Sequence, residues 1–176
     1  MTTDPGSSLV AKSWDMSRGA AALTMLGLGA GIVALDQWTK QLAVTHLLDS
    51  GVRSVPVLGP YIRFTYVENR GAAFGLLQEQ TSFFILVGLT VIGVILYSLR
   101  QMSRPSLILT LSLGLQLGGA IGNLIDRIRF GYVVDFMDLS VWPVFNVADS
   151  AIVCGVVGLA YTLAFPPKAA AAPSNA

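Results

Sequence analysis

The chain alternates between long apolar runs and shorter polar segments. Four runs close to twenty residues long contain no Asp, Glu, Lys or Arg apart from Asp149 in the last one. An α-helix needs about 20 apolar residues to cross the hydrocarbon core of a bilayer, so each run predicts a transmembrane helix. The predicted spans cover residues 19–35, 81–99, 105–125 and 147–165. The pattern therefore predicts an all-α membrane protein with four transmembrane helices.

The segment between the second and third spans is very short and carries Arg100 and Arg104. Short loops rich in Lys and Arg stay in the cytoplasm, so both chain termini are expected on the cytoplasmic side. A count of all basic residues does not decide the orientation, and the short loop has the greater weight. The expected organisation is a cytoplasmic tail over 1–18, one membrane domain over 19–166 and a disordered tail over 167–176.

With this orientation, residues 36–80 and 126–146 form the two segments on the outer side. Residues 37–48 have the composition of an interfacial helix. Residues 61–66 then alternate between apolar and polar or aromatic positions, as the two faces of an extended chain do. A small strand pair or curved sheet at the membrane surface is the predicted result.

Composition narrows the possible classes of function. The chain of 176 residues has 53% apolar and 12% charged residues and a net charge of +1, which leaves no basic surface for nucleic acid. Its one cysteine, Cys154, and its one histidine, His46, provide neither a disulfide nor a Cys/His metal site. The motifs of zinc and serine hydrolases are also absent. Hydrolysis would have to use carboxylates, and no metal or other cofactor is expected.

An Asn-x-x-Asp pattern occurs where the third span ends and again where the fourth begins. Residues three apart on a helix share a face, so Asn123 points with Asp126 and Asn146 with Asp149. The connecting loop adds Asp135 within an apolar stretch. Carboxylates at a membrane boundary are costly unless they are paired, hydrated or used, so this cluster is a candidate functional site.

Each acid also has a structural interpretation. Asp126 is placed for a helix-end salt bridge with the arginine one or three residues further on. Asp149 is placed to cap the fourth helix, and Asp135 could be an exposed loop acid. Asp138 is expected to be solvated. The residues alone do not rank Asp126 below Asp135 as a catalytic acid.

Two neighbouring aspartates do not ionise together easily, so such a pair holds one proton near neutrality. This is the working state of an aspartic protease, in which one carboxylate activates water and the protonated partner polarises the peptide carbonyl. Asn123 and Asn146 would orient the acids or hold the substrate. The alternatives are a small transporter or proton-coupled channel and a membrane assembly protein with structural acids. Transporters usually bind ions near the bilayer midplane, whereas these acids gather at one rim.

Four stretches, in order, resemble the lipoprotein signal peptidase family, also called signal peptidase II. They are DQWTK at 36–40, VENRGAAF at 67–74, GNLIDR at 122–127, and VDF at 134–136 with FNVADS at 145–150. The resemblance extends from the first span to the last. It implies a bacterial cytoplasmic (inner) membrane enzyme with four transmembrane helices, an extracytoplasmic β-cradle and an interfacial helix. Its substrates would be prolipoproteins, cut before a cysteine that carries diacylglyceryl.

The resemblance also implies roles for individual residues. The catalytic pair falls on Asp135 and Asp149, and the active site faces outward. It further implies contact with membrane lipids and inhibition by cyclic peptides of the globomycin type. One departure is a short link between Asp138 and Phe145. The implied supporting residues are Asp36, Lys40, Asn69, Gly71, Asn123, Asp126, Arg127 and Asn146, of which Asn69, Asn123, Arg127 and Asn146 would line the substrate or inhibitor groove.

Overall fold

The structure is a computed structural model that describes residues 16–71 and 79–165. The predicted tails lie outside this part of the chain, apart from residues 16–18 of the first. The described residues contain four α-helices and three strands. The helices are α1 Arg18–Ala43, α2 Thr81–Gln101, α3 Leu107–Phe130 and α4 Val147–Ala164, and the strands are β1 Ser54–Leu58, β2 Ile62–Asn69 and β3 Val133–Asp138.

All four helices are long and apolar enough to cross a membrane, which confirms the predicted spans. The first differs from the prediction at its end. Instead of stopping near Leu35, α1 continues to Ala43 and passes into a π-helical turn, Val44–Leu48. No glycine or proline occurs between residues 35 and 48 to interrupt it. The predicted interfacial segment 37–48 is therefore helical, but it is an extension of α1.

Helix α3 is the centre of the bundle and contacts the other three helices. Small residues allow this close packing, because an ideal Cβ at Gly118 would lie 2.7 Å from the carbonyl oxygen of Gly29 on α1. A Cβ at Gly122 would lie 2.6 Å from a carboxylate oxygen of Asp36. Glycine at position 122 is thus what leaves space for a buried acid between α1 and α3.

The two ends of the bundle differ in chemistry. At one end, the backbone N–H of Met16 donates to the carbonyl of Pro105 at 3.0 Å, so the start of α1 lies beside the α2–α3 turn. At the other end, Gly131 adopts a left-handed conformation with φ of 79° and stops α3. The chain then enters β3, and the sheet, the α1 extension and the acidic residues share this end, which we call the sheet end.

The three strands form an antiparallel sheet in the order β1-β2-β3, which confirms the predicted small sheet. One face of β3 carries Val134 and Phe136, which pack with Ala43 and Leu47 of the α1 extension. Because successive side chains of a strand alternate, Asp135 points away from this apolar cluster. The prediction that Asp135 belongs to a loop is wrong, since it lies within β3.

The outer edge of the sheet is held by Asp138, which was expected from the sequence to be solvated. Its side chain is buried, and Arg63 Nη2 lies 2.9 Å from its Oδ2. The backbone N–H of Ser140 donates to Asp138 Oδ1 at 2.8 Å, and these hydrogen bonds lower the pKa of Asp138. The pairing of Met137 with Phe145 then closes the short link against β3. Asp138 therefore stabilises the sheet.

Candidate active site

The first turn of α4 positions Asp149. Asn146 is the N-cap: its side-chain oxygen accepts from the backbone N–H of Asp149 at 2.9 Å, and its own backbone N–H donates to Asp149 Oδ2 at 3.3 Å. These reciprocal bonds form a capping box. The structural interpretation of Asp149 is thus correct as far as it goes. One carboxylate oxygen caps the helix, and the other, Oδ1, faces the rest of the site.

Asparagine amides connect Asp149 to Asp135. Asn123 Nδ2 on α3 donates to Asp149 Oδ1 at 2.7 Å, and Asn146 Nδ2 donates both to Asp135 Oδ1 at 2.7 Å and to Asn123 Oδ1 at 3.1 Å. The second oxygen of Asp135 accepts from Asn69 Nδ2 of β2 at 2.9 Å. Every oxygen of the two carboxylates therefore accepts at least one N–H.

The position of Asn69 is fixed in turn by Gly71, whose backbone N–H donates to Asn69 Oδ1 at 3.1 Å. A backbone N–H can only donate, so the amide oxygen of Asn69 faces Gly71 and the amide nitrogen faces Asp135. Gly71 thus contributes to the site through its backbone.

A buried ion cluster lies behind the two acids. Lys40 Nζ is 2.8 Å from Asp36 Oδ2 and 2.9 Å from Asp126 Oδ2, and it donates to Asn123 Oδ1 at 3.0 Å. Lys40 is 3% exposed, and Asp36 and Asp126 are 0% and 1% exposed. Asp36 Oδ1 also accepts from the backbone N–H of Ala148 at 2.9 Å, which joins α1 to the start of α4. The ion cluster therefore holds α1, α3 and the start of α4 together behind Asp135 and Asp149.

The geometry separates Asp126 from the other acids. The sequence suggested a salt bridge between Asp126 and Arg127 or Arg129, but the partner is Lys40 on α1. Asp126 Oδ2 also accepts from the backbone N–H of Val134 at 3.1 Å. Asp126 therefore has a supporting position.

One supporting residue, Gln37, was not predicted from the sequence. Gln37 Nε2 donates to Asp126 Oδ1 at 2.8 Å and to the carbonyl of Gly122 at 3.2 Å, and it approaches Asp36 Oδ2 at 3.3 Å. Its place within the DQWTK stretch was the available signal. Helical periodicity gave none, because neighbouring residues on a helix point in different directions.

Burial changes the acidity of Asp135, which is 1% exposed. Loss of hydration and the nearby charge of Asp149 raise the pKa of Asp135 to about 7, although the amides of Asn69 and Asn146 oppose this change. A carboxyl with this pKa is partly protonated at neutral pH. It can therefore donate a proton, which an ordinary aspartate cannot do under these conditions.

A groove of about 250 Å³ between α2, α3 and α4 leads to Asp149. Arg127 lies in its wall, with the guanidinium carbon 4.9 Å from the centre of the Phe84 ring. Asn123 also reaches the groove, whereas Asn69 and the fully buried Asn146 are not among its lining residues, so a place for these two in a substrate groove stays a prediction. The groove is lined by Phe84, Val87, Gly88, Val91, Gln116, Ala120, Asn123, Arg127, Asp149 and Ile152.

Comparison with known proteins identifies the family to which this arrangement belongs. A family model described as "Signal peptidase (SPase) II" matches residues 28–165, a range that contains every site residue described above. The chain belongs to the signal peptidase II family. The resemblance seen in the sequence is thereby confirmed, and the protein is a peptidase and a multi-pass membrane protein of a bacterial signal peptidase family.

Relatives of the signal peptidase II family cover most of the chain. The lipoprotein signal peptidase of Moorella thermoacetica is 50% identical over 135 residues, which are 77% of this chain and 89% of the relative. That of Caldanaerobacter subterraneus subsp. tengcongensis is 52% identical over 137 residues, 77% of this chain and 92% of the relative.

Two solved structures described as a bacterial membrane enzyme share the fold. One has a TM-score of 0.70 and 28% identity and covers 83% of this chain and 88% of its own. The other has a TM-score of 0.70 and 27% identity, with coverages of 88% and 98%. The four-helix architecture with a small sheet is thus shared with known membrane enzymes.

Proposed function

We propose that this signal peptidase II family member is an aspartic endopeptidase that removes the signal peptide from prolipoproteins, cutting before the diacylglyceryl-modified cysteine. The observation that carries the proposal is the pair Asp135 and Asp149, which are joined through asparagine amides beside a groove. The names of the relatives supply the substrate class. The amide-bridged pair supplies the chemistry.

The two acids take different parts in the proposed reaction. Asp135, with a pKa near 7, carries the proton and donates it to the oxygen of the scissile carbonyl. Asp149 accepts a proton from the attacking water and returns it to the amine nitrogen as the C–N bond breaks. Asp135 regains its proton from a hydroxyl of the tetrahedral intermediate in the same step. Asn69 donates to one oxygen of Asp135 and Asn146 donates to the other. The acidic proton therefore points away from both amides.

Substrate reaches this pair from the membrane. The groove is bordered by the apolar side chains of Phe84, Val87 and Val91 on α2. Each buried CH₂ of a diacylglyceryl chain contributes about 0.8 kcal/mol to membrane association, so the lipid anchor keeps the scissile bond near the headgroups. Asp135 is 1% exposed, so the carbonyl contacts it only after a local opening movement.

A cleavage assay in detergent tests the proposal. A diacylglyceryl-modified prolipoprotein is incubated with the wild type, Asp135→Asn, Asp149→Asn and Asp49→Asn, and cleavage is followed by gel shift. Asp49 is an exposed acid after the α1 extension, so Asp49→Asn is the matched control. The proposal expects cleavage by the wild type and the control only. Activity in either folded active-site variant would refute the pair, and an inactive wild type would refute the substrate.

A cyclic peptide of the globomycin type should compete for the same groove. We expect it to raise the apparent KM for the prolipoprotein without lowering kcat. Inhibition that extra substrate does not relieve would show that such peptides bind elsewhere.

We also propose that the sheet end faces the outside of the cytoplasmic membrane. Support comes from Arg100 and Arg104, which flank the α2–α3 turn at the opposite end of the bundle. A green fluorescent protein fused after residue 176 should then fluoresce, because it folds on the cytoplasmic side. A full-length fusion that is inserted but dark would reverse the orientation.

A further inference from the structure

The amide groups between the two acids each have a definite direction. An asparagine side chain presents an acceptor on one side and a donor on the other, and a half-turn about its last bond exchanges them. Only one of the two directions supplies an N–H to a carboxylate. The site therefore depends on whatever fixes the oxygen of each amide on the side away from the acid.

Backbone groups fix two of the three amides. The N–H of Gly71 holds Asn69 Oδ1, and the N–H of Asp149 holds Asn146 Oδ1. No side-chain substitution removes these donors, apart from proline.

The third amide, that of Asn123, is held by a side chain. Its Oδ1 accepts from Lys40 Nζ at 3.0 Å, and its Nδ2 donates to Asp149 Oδ1 at 2.7 Å. A lysine ammonium only donates and an ionised carboxylate only accepts. Reversal of Asn123 would place donor against donor at Lys40 and acceptor against acceptor at Asp149. Asn146 Nδ2 donates one N–H to the same oxygen at 3.1 Å and the other to Asp135, so Lys40 supplies the shorter and the charged one of two donors to Asn123 Oδ1.

Charge balance alone does not account for all contacts of Lys40. Asp36 and Asp126 already surround the ammonium at 2.8 and 2.9 Å, and the third N–H is directed at a neutral amide. Lys40 is 3% exposed, lies behind the two acids and does not line the groove. It can act on the acids in two ways, through its hydrogen bond to Asn123 and through its charge.

We propose that Lys40 is a positioning residue that fixes the direction of the Asn123 amide, so that its N–H points at the Asp149 carboxylate. This inference rests on the proposed aspartic mechanism. It separates two properties of Lys40, its charge, which stabilises the buried cluster, and its donor, which orders the catalytic acid.

Charge-matched variants separate these properties. Lys40→Met alone leaves two buried carboxylates without a counterion, so its failure to fold would say nothing about catalysis. Lys40→Met combined with Asp36→Asn keeps the single net negative charge of the wild-type cluster, so the wild type is the reference, and Asp36→Asn alone is the control for the loss of that carboxylate. Relative to that reference, kcat should fall about 10- to 100-fold, the usual effect of losing a hydrogen bond to a charged group. KM should stay within about twofold, because no group in the groove has changed.

A mutant cycle shows whether the effect passes through Asn123. In an Asn123→Ala background, adding Lys40→Met together with Asp36→Asn should lower kcat by less than about twofold, because the amide that Lys40 orients is gone. A reduction as large as that seen with Asn123 present would mean that Lys40 acts independently, and the inference would be wrong. It would also be wrong if the charge-matched variant kept kcat within about threefold of the reference.

Thermal unfolding in detergent shows whether each variant is folded. If Lys40→Met with Asp36→Asn does not fold, Lys40→Leu with Asp36→Asn replaces it. Leucine has no donor, so Asn123 Oδ1 again loses its lysine donor, and the same fall in kcat is expected. Asp135→Asn and Asp149→Asn are assayed in parallel. If these remain active, the proposed function fails; if only the Lys40 variants remain active, the positioning role alone fails.

Discussion

Replacement of Asp135 by asparagine should stabilise the protein at alkaline pH while abolishing cleavage. Burial raises the pKa of Asp135 from 3.8 to about 7. The folded state therefore retains a proton that the unfolded chain releases, and stability falls as pH rises from about 4 to about 7. A difference of about three pKa values corresponds to a penalty of about 4 kcal/mol once both states are ionised. Asparagine does not titrate and avoids this penalty.

The substitution also has a cost that does not depend on pH. The new amide nitrogen would face a donor of Asn69 or Asn146, because both oxygens of Asp135 accept from amides. An unsatisfied arrangement of this kind costs about 1–3 kcal/mol. The net gain at pH 8 is therefore about 1–3 kcal/mol. At pH 5 the wild type has only part of the ionisation penalty of Asp135. The difference in the free energy of unfolding between Asp135→Asn and wild type should therefore change by about 3 kcal/mol between pH 5 and pH 8.

Thermal unfolding in detergent at both pH values measures this change. For a domain of this size about 1 kcal/mol shifts Tm by about 2–4 °C, so the Tm difference between Asp135→Asn and wild type should increase by about 6–12 °C from pH 5 to pH 8. Asp49→Asn, at an exposed position, should follow the wild type. Parallel pH dependence of Asp135→Asn and wild type would refute the reasoning, because it would mean that folding does not raise the pKa of Asp135.

Three further outcomes are expected. Wild-type kcat should fall about tenfold per pH unit above about pH 7, because Asp135 loses its proton there. Asn69→Leu removes a donor to the ionised form of Asp135 and should move this fall about one pH unit higher. A pH dependence of kcat that Asn69→Leu leaves unchanged would contradict the assignment of Asp135 as the acid. Gly118→Ala should destabilise the α1–α3 contact by about 1–3 kcal/mol, since its Cβ would meet the Gly29 carbonyl, whereas Gly93→Ala, with nothing within 4 Å, should unfold no earlier than wild type. A chelator should leave purified activity unchanged, because the proposed reaction needs only water and two carboxylates; a loss that added metal restores would overturn that mechanism.

The amino-acid sequence alone predicts the helices, the small sheet and part of the site. Apolar runs predict spans because a helix must satisfy its own backbone and bury about 30 Å in hydrocarbon, and both requirements are local. The Asn-x-x-Asp patterns likewise placed Asn146 with Asp149 on one turn, where they form the capping box. The polar residues after Leu35 led to a wrong prediction for the end of the first helix, because α1 continues to Ala43.

Tertiary structure decided which polar groups are partners. Lys40 meets Asp126 only because α1 packs on α3, and Asp138 meets Arg63 only because β2 pairs with β3. Burial of Asp135, and with it the raised pKa, likewise depends on how the sheet closes over the helix ends. Hydropathy and helical spacing are properties of neighbouring residues along the chain. Ion pairing, amide direction and acidity depend on distances between segments remote in sequence, and only packing sets those distances.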